Sequence, residues 1–323
     1  MYSEVVVKAP AHLHAGNIDL TGDLGRLYGT IGFTIDSPYT IVKVNRSERL
    51  EVKGEDAANA TRYAKAFFDK FGVRGGAKIR VETAIPRNIG MGSQTALALS
   101  IATALCRLYG VEAGTEDLAL ALGRGSITAL GVYSFKLGGF LVDGGFKLED
   151  KGKRVPPLMF RYNIPKNLIF VVCLPQKPIP AILKIKAEEE RILEQLKPMP
   201  RELSSELARV VLMQMLPALL EHDSTIFGRA LTAFNGRLGG YWSDHQHGIY
   251  CHPLVEEGVK LMLEGGALGV CQSCWGPTFY GILDSEVKAE RLANELRRYL
   301  APRGGGEVFH TTANNEGAAL LCK

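Results

Sequence analysis

Residues 86–96 read PRNIGMGSQTA, a loop with two glycines that leads into a long apolar segment. Gly90 and Gly92 stand directly before this segment, which is apolar on nearly every face until Gly110 and therefore predicts a buried helix. The first turn of a helix carries unpaired backbone N–H groups and a partial positive charge. These features predict a phosphate-binding loop, but a plain strand-to-helix turn with Ser93 as its N-cap would have the same composition.

The residues after the glycines exclude two common phosphate-binding motifs. No lysine follows Gly92, as a Walker A loop requires. Thr95 occupies the position of the third glycine in a dinucleotide-binding fingerprint. Phosphate binding at this loop would therefore rely on backbone amides and on side chains of the first helical turn.

The segments on either side of the loop predict an α+β protein. Before the loop, residues 2–8, 40–45 and 77–83 have the composition of strands, and apolar side chains recur at helical spacing from 56 to 71. After residue 165, the pattern predicts helices over 181–196, 202–220, 224–238 and 286–300, and strands over 168–174, 268–272, 278–283, 307–310 and 318–322. Antiparallel strands with helices on one face define this class.

Length and composition set the broader limits. The chain has 323 residues, which at roughly 100–200 residues per domain predicts two domains. The pattern of predicted strands and helices changes near 163–166, which predicts two domains over 1–165 and 166–323. The net charge is +4 without a dense Lys/Arg run, so nucleic acid is not an expected partner. With no signal peptide and no apolar run of about 20 residues, we expect no membrane partner and a cytoplasmic location.

Three motifs together resemble the GHMP small-molecule kinases. Residues 8–11 (KAPA) resemble the opening strand motif of that superfamily, 86–96 its phosphate loop, and 269–278 occupy the place of its third, glycine-rich motif. The resemblance implies a two-domain α+β fold. Its N-terminal domain contains a βαβ unit with the phosphate loop, and its C-terminal domain is a ferredoxin-like α/β sandwich.

Two departures from the kinase pattern argue against phosphorylation of an alcohol. Kinases of this superfamily often carry a base-like Asp seven residues before a Gly-Gly pair, and here Gly131 stands at that distance from Gly138-Gly139. Glycine cannot accept a proton. In the third motif, Gln272 and Trp275 stand among residues where kinases have a run of glycines.

The residues at these positions, with several other segments, resemble a non-kinase family that has the same fold, the archaeal β-ribofuranosylaminobenzene 5′-phosphate synthases. The segments that carry this resemblance are 12–14, 17–26, 123–126, 138–145 and 272–278. Membership implies a decarboxylating phosphoribosyltransferase of methanopterin biosynthesis. Phosphoribosyl diphosphate and a para-substituted benzoate, 4-hydroxy- or 4-aminobenzoate, would be its substrates, with CO2 and diphosphate released. It also implies magnesium, no organic cofactor and a homodimer.

Four charged residues are candidate catalytic groups. Arg26 and Arg124 are expected to contact a phosphate or the benzoate carboxylate in a bidentate manner, although most arginines are solvated surface residues. Asp19 and Asp143 are expected to bind magnesium or orient ribose hydroxyls. A turn-stabilising carboxylate is the competing interpretation of Asp143, which precedes two glycines.

The candidate substrate-binding residues fall into three groups. The phosphate loop contributes Gly90, Gly92, Ser93, Gln94 and Thr95. On the first strand, we expect only one of His12 and His14 to point into the cleft, with the other structural. In the third motif, Ser273 lies beside Trp275, whose indole would stack on the benzoate ring unless it merely packs in the core.

Two other functions fit the same motifs. One is a small-molecule kinase that uses ATP and has recruited another base, for example Asp143. The other is a non-catalytic relative that only binds a phosphorylated metabolite. The sequence does not distinguish between the two benzoates.

Overall fold

The computed structural model describes residues 2–176, 179, 183–185, 188, 191–192, 195, 197–246 and 248–323. Two largely antiparallel sheets, each with helices packed on it, form the described part, which confirms the predicted α+β class. Most of the helix predicted over 181–196 lies outside the described residues.

The first sheet has eight strands, and its centre is a pair of long antiparallel strands. These are β1 (Glu4–Asp19) and β2 (Arg26–Ser47). The other strands are β3 (Glu51–Gly54), β4 (Gly76–Thr83), β5 (Phe140–Asp143), β6 (Phe146–Lys147), β7 (Leu158–Tyr162) and β12 (Ala319–Cys322). The order is β12-β1-β2-β4-β3, with β5 and β6 paired to β2 and β7 paired to β5.

The helix after the glycine loop is the central helix of the first half. This helix, α2 (Ser93–Tyr109), packs on β1 and β2, and most of its residues are buried, as its apolar sequence predicts. Its N-cap is Gly92, with φ 76°, rather than Ser93. The neighbouring helices are α1 (Ala57–Phe71), α3 (Thr115–Ala121) and α4 (Leu130–Leu137).

The second sheet has the order β11-β8-β10-β9 and carries longer helices. Its strands are β8 (Ile169–Pro175), β9 (Gly269–Gln272), β10 (Phe279–Leu283) and β11 (Gly306–Thr312). The helices are α5 (Arg201–Val210), α6 (Leu216–Leu220), α7 (Ser224–Gln246), α8 (Pro253–Glu264) and α9 (Glu286–Leu300), with a π-helical turn over Val211–Met215 between α5 and α6. The predicted helix over 224–238 is therefore two turns longer, and α8 was not predicted.

A cluster of aromatic rings joins the two sheets into one core. Phe33 of β2 contacts Phe140 of β5 and Phe170 of β8, with ring centroids 5.2 Å apart in both pairs. Phe227 of α7 and Tyr280 of β10 meet the same ring edge-on. All five side chains are fully or almost fully buried. The two halves therefore share an interior.

The chain passes from the first sheet to the second between β7 and β8. Its last strand, β12, returns to the first sheet and pairs with β1. The division at residues 165 and 166 stays a prediction, as does the homodimer. By length and composition alone, the helical run Arg201–Leu220 reaches the size of a membrane span, and 33% of its most apolar window is buried inside the protein.

Candidate active site

One cavity of about 590 Å³ lies where the two halves meet. On one side are β1, the glycine loop and the segment 123–131. Helix α7 and the turn between β9 and β10 form the other side. The sequence-predicted residues that line it are His12, His14, Gly90, Gly92, Thr95, Arg124 and Trp275.

The glycine loop approaches its neighbours too closely for any side chain. A Cβ on Gly92 would lie 2.1 Å from Cε1 of His12, and a Cβ on Gly90 would lie 2.5 Å from the carbonyl oxygen of Ser273. Both glycines also have positive φ values, 82° for Gly90 and 76° for Gly92. The loop therefore needs glycine for two independent reasons, and it presents the N-terminus of α2 to the cavity.

His12 and His14 both line the cavity, so the prediction that only one would face it is wrong. Side chains alternate across a strand with a period of two, so residues i and i+2 lie on the same face. The register shift in the β1–β2 pairing comes only after His14 and does not separate them.

Both histidines are neutral at neutral pH. Burial, together with the neighbouring His14 and the charge of Arg124, lowers the pKa of His12 to about 3. Burial also lowers the pKa of His14 to about 4, although the side chain of Asn17 opposes this shift. The cavity therefore presents imidazoles that donate or accept hydrogen bonds without adding charge.

Arg124 is the charged residue of the cavity. Of the described residues that line it, Arg124 alone carries a charge at neutral pH. Its Nε donates to Oγ1 of Thr95 at 3.2 Å, which fixes the guanidinium beside the first turn of α2. A cation and a helix N-terminus side by side form a favourable site for an anion.

Ser273 connects the halves rather than lining the cavity. Its buried hydroxyl donates to the carbonyl of Gly90 at 2.6 Å and accepts from the backbone amide of His14 at 3.0 Å. Thr278 makes a second connection, since its hydroxyl donates to the carbonyl of Ile89 at 2.6 Å. The third motif thereby fixes the position of the glycine loop.

The wall formed by α7 was not predicted from the sequence. Five of its residues line the cavity at helical spacing: Asn235, Leu238, Gly239, Trp242 and Gln246. Buried amides hold this helix in place, because Asn235 donates to the carbonyl of Ala15 at 2.9 Å and accepts from the amide of Gln272 at 3.0 Å. The i, i+3, i+4, i+7, i+11 spacing was visible in the sequence, but it did not distinguish a cavity wall from a core-facing stripe.

Three of the four candidate catalytic residues lie outside the cavity lining. Arg26 donates to the carbonyls of Gly144 and Gly145. Asp19 accepts from the amide of Thr21 at 2.7 Å. Neither residue lines the cavity, whereas Arg26 was expected to contact a phosphate or the benzoate carboxylate and Asp19 to bind magnesium or orient ribose hydroxyls.

Asp143 is buried and stabilises a turn. Its oxygens accept from the backbone amides of Thr30, Ala129 and Gly145 at 2.8–3.0 Å. Burial raises the pKa of this carboxyl above its usual value, while the amides favour the charged form. The turn-stabilising interpretation is the correct one, because both oxygens are already engaged.

Two residues of the first turn of α2 also point elsewhere. Gln94 accepts from the hydroxyl of Tyr63 and donates to Asp56, and neither it nor Ser93 lines the cavity. Their backbone amides remain part of the helix N-terminus. Among the residues that the structure describes, no cluster of three or more His, Cys, Asp or Glu side chains is placed to hold a metal ion.

The comparisons with known proteins agree with this architecture. The GHMP kinases N terminal domain matches residues 58–139, and the GHMP kinases C terminal domain matches residues 215–302. A homoserine kinase from Cytophaga hutchinsonii has the same fold, with a TM-score of 0.73 over 99% of this chain and 98% of that one, at 18% identity. Fold, loop and domain matches define a protein of the GHMP kinase superfamily.

Two archaeal relatives specify the family within it. The β-ribofuranosylphenol 5′-phosphate synthase of Archaeoglobus fulgidus is 30% identical over 97% of this chain and 98% of its own length. The protein of the same name from Methanothermobacter thermautotrophicus is 27% identical over 99% of this chain and 100% of its own. The chain belongs to the β-ribofuranosylphenol 5′-phosphate synthase family and is an enzyme of the pentosyltransferase type.

Proposed function

We propose that this enzyme transfers the ribosyl phosphate of phosphoribosyl diphosphate to 4-hydroxybenzoate, with release of CO2 and diphosphate. The observation that carries the proposal is the lining of one cavity by a glycine loop with Arg124 on one side and by two tryptophans on the other. An anionic donor and an aromatic acceptor need such a pair of surfaces. The name of the relatives, which contains a phenol, favours 4-hydroxybenzoate over the 4-amino acid.

The chemistry requires charge stabilisation rather than a strong base. Loss of diphosphate leaves positive charge at the anomeric carbon, and the ring carbon that bears the carboxylate forms the new C–C bond. The bond to the carboxylate then breaks, its electron pair returns to the ring, and CO2 leaves. No proton has to be removed from the attacked ring carbon, so neutral His12 and His14 suffice as hydrogen-bonding groups.

Arg124 and the N-terminus of α2 are the proposed anion-binding groups. They lie together, since Nε of Arg124 contacts Thr95 in the first turn of that helix. We propose that they bind the phosphate or diphosphate oxygens of the donor and stabilise the leaving group. Removing a donor of this kind costs about 2.7–4 kcal/mol of transition-state stabilisation.

The described residues of the cavity do not form a magnesium site. The lining contains no carboxylate, and both oxygens of Asp143 are taken by backbone amides. A magnesium ion would therefore have to be held by oxygens of the diphosphate and by water, not by side chains of this cavity. The charge of this donor also keeps it from crossing a bilayer, so the proposed location is the cytoplasm.

A kinase reaction is less compatible with the same geometry. A Cβ on Gly131 would lie 3.1 Å from Cε1 of His12 and 3.1 Å from Cβ of Thr95. A side chain at residue 131 would therefore require His12 and Thr95 to move by a few tenths of an ångström, and the glycine present there carries no base.

The test is a direct assay of both products. Purified protein with magnesium and phosphoribosyl diphosphate is incubated with 4-hydroxybenzoate labelled at the carboxyl carbon, and labelled CO2 and diphosphate are measured. We expect the two products in equal amounts. Absence of both with the 4-hydroxy and the 4-amino acid would falsify the proposal. Stabilisation by ATP-magnesium but not by phosphoribosyl diphosphate would favour a kinase instead.

A further inference from the structure

The two sides of the cavity differ in their side chains, since one carries the cation and hydroxyl groups and the other carries both indoles. Residues of the first half bring the hydrogen-bonding groups: His12, Thr95, Arg124, Ser126 and Thr128. The second half brings a wall with four large apolar side chains, Leu238, Trp242, Ile249 and Trp275, together with the polar residues Asn235, Gln246, Gln272 and Cys274. A ligand with an anionic group at one end and a flat apolar part at the other matches Arg124 on one side and the indoles on the other.

The two tryptophans of this wall form one unit. Their ring centroids are 4.7 Å apart and their planes meet at 66°, an edge-to-face arrangement. Trp275 is only 7% exposed, so almost none of its surface remains for a ligand. Trp242 is half-buried and lies on α7, between Leu238 one turn before it and Gln246 one turn after it. The accessible ring surface of the pair therefore belongs to Trp242.

We infer that Trp242 is the specificity-determining residue that packs against the aromatic ring of the acceptor, with Trp275 supporting it from behind. The inference rests on the proposed function and refines it, because the sequence alone assigns that contact to Trp275. A planar ring gains both area burial and favourable ring–ring geometry against an indole. An aliphatic carboxylic acid of similar size and charge buries apolar area but lacks the ring–ring geometry.

The composition of the chain offers a selective probe. Trp242 and Trp275 are its only two tryptophans, so indole fluorescence reports on this wall alone. Wild-type protein is titrated with 4-hydroxybenzoate and, separately, with cyclohexanecarboxylate, each in the presence of ribose 5-phosphate and diphosphate. We expect quenching by the aromatic acid and a dissociation constant roughly two- to tenfold lower than that of the aliphatic acid.

Variants at position 242 distinguish ring contact from general packing. Trp242→Leu should raise KM for the benzoate by roughly tenfold and leave KM for phosphoribosyl diphosphate within about threefold of wild type. Trp242→Phe, which keeps an aromatic ring, should restore most of the benzoate affinity. Asp244→Ala, an exposed residue two positions along the same helix, is the matched control and should change neither constant.

The outcomes separate this inference from the function on which it rests. If wild type forms no product but the aromatic acid still quenches the indole fluorescence, the proposed reaction is wrong and the proposed aromatic-binding site is supported. If wild type is active and Trp242→Leu alters both KM values equally or neither, the inference fails. If Trp242→Leu has lost cooperative thermal unfolding, the wild-type titrations decide, and equal binding of aromatic and aliphatic acids then overturns the inference.

Discussion

Gly92 has a backbone conformation and a close contact with His12 that both require glycine beside the candidate active site. Its φ of 76° and its approach to the His12 ring both exclude a side chain. We expect Gly92→Ala to lower kcat/KM on the order of 100-fold, because a small displacement in a positioned site is that costly. Steady-state kinetics and chemical unfolding measure the effect.

Gly110 provides the matched control at the other end of α2. It has φ 69°, and no atom lies within 4 Å of a Cβ placed on it. Gly110→Ala should therefore lower the free energy of unfolding by about 1–2 kcal/mol, the strain of a left-handed alanine, and leave kcat/KM near wild type. Equal activity losses in the two variants would contradict the role of the His12 contact.

The buried histidines make stability depend on pH in a defined direction. In the unfolded chain their pKa is near the usual histidine value of 6.5, and in the folded protein it falls to about 3 for His12 and about 4 for His14. Between these values the unfolded chain binds more protons, so the free energy of unfolding decreases as pH is lowered from 6.5 toward 4. Each histidine contributes up to about 1.4 kcal/mol per pH unit.

Urea unfolding at pH about 7.5 and about 5 tests this linkage. Wild type should lose stability over the interval, and His14→Gln should lose less because it removes one of the two sites. An unchanged pH dependence in this variant would show that His14 is not held neutral by the fold.

At the scale of elements, Asp143 at the end of β5 fixes the segment that leads into α4. Asp143→Asn retains the shape but turns one acceptor into a donor that faces a backbone N–H. We expect a loss of about 1–3 kcal/mol in the free energy of unfolding, the cost of leaving a buried donor unpaired. Because residues 125–128 line the cavity, kcat/KM should fall as well.

Glu149→Gln is the control for charge removal near this element. Glu149 is exposed, and its ion pair with Lys147 has an N–O distance of 3.8 Å. Surface pairs of this kind are worth about 0–1 kcal/mol, so stability and kinetics should both stay near wild type. If Asp143→Asn behaves in the same way, the carboxylate does not hold the turn.

The elements show where sequence patterns are informative and where they are not. The sequence predicted α2 and the phosphate loop because the apolar run, the flanking glycines and the loop motif are local. Helix α7 was predicted to end at Leu238, but it continues to Gln246. Gly239 lies inside the helix, where a Cβ would be 2.3 Å from the carbonyl oxygen of Ile249. Packing against Ile249 therefore requires glycine at position 239, and local helix propensity does not reveal this.

The sequence likewise predicted some residues that line the candidate site and missed others. Gly90, Gly92 and Thr95 were found because a phosphate loop has a local motif. Trp242 was missed because its contact with Trp275 joins two segments that are distant in the sequence. Charged residues in a motif suggest chemistry, so Arg26 was predicted to contact substrate, and Asp143 to bind magnesium or orient ribose hydroxyls unless it stabilises a turn. Backbone carbonyls and amides, which have no sequence signature, engage them instead.

For the whole molecule, Ser273 tests whether the two halves must be held together for catalysis. Ser273→Ala leaves the carbonyl of Gly90 and the amide of His14 without this buried partner. The free energy of unfolding should fall by about 1–3 kcal/mol, and KM for phosphoribosyl diphosphate should rise because the glycine loop loses a support. Thermal unfolding and initial-rate kinetics provide the two readouts.

Thr232→Val is the comparison within one half. The hydroxyl of Thr232 donates to the carbonyl of Gly228 and accepts from the amide of Val270, both on the second side of the molecule. We expect a similar loss of stability without a change in KM. Equal effects on KM would mean that the connection to the glycine loop has no special role.

The ring cluster around Phe33 also bears on how the protein can be divided. Its members come from β2, β5, β8, β10 and α7, so a cut between β7 and β8 separates rings that shield one another from water. Each fragment, when produced alone, would expose apolar surface and aggregate. When the two fragments are produced together, burial of the same rings favours their reassembly. The junction is therefore suitable for a split-enzyme reporter whose signal depends on association of the fragments.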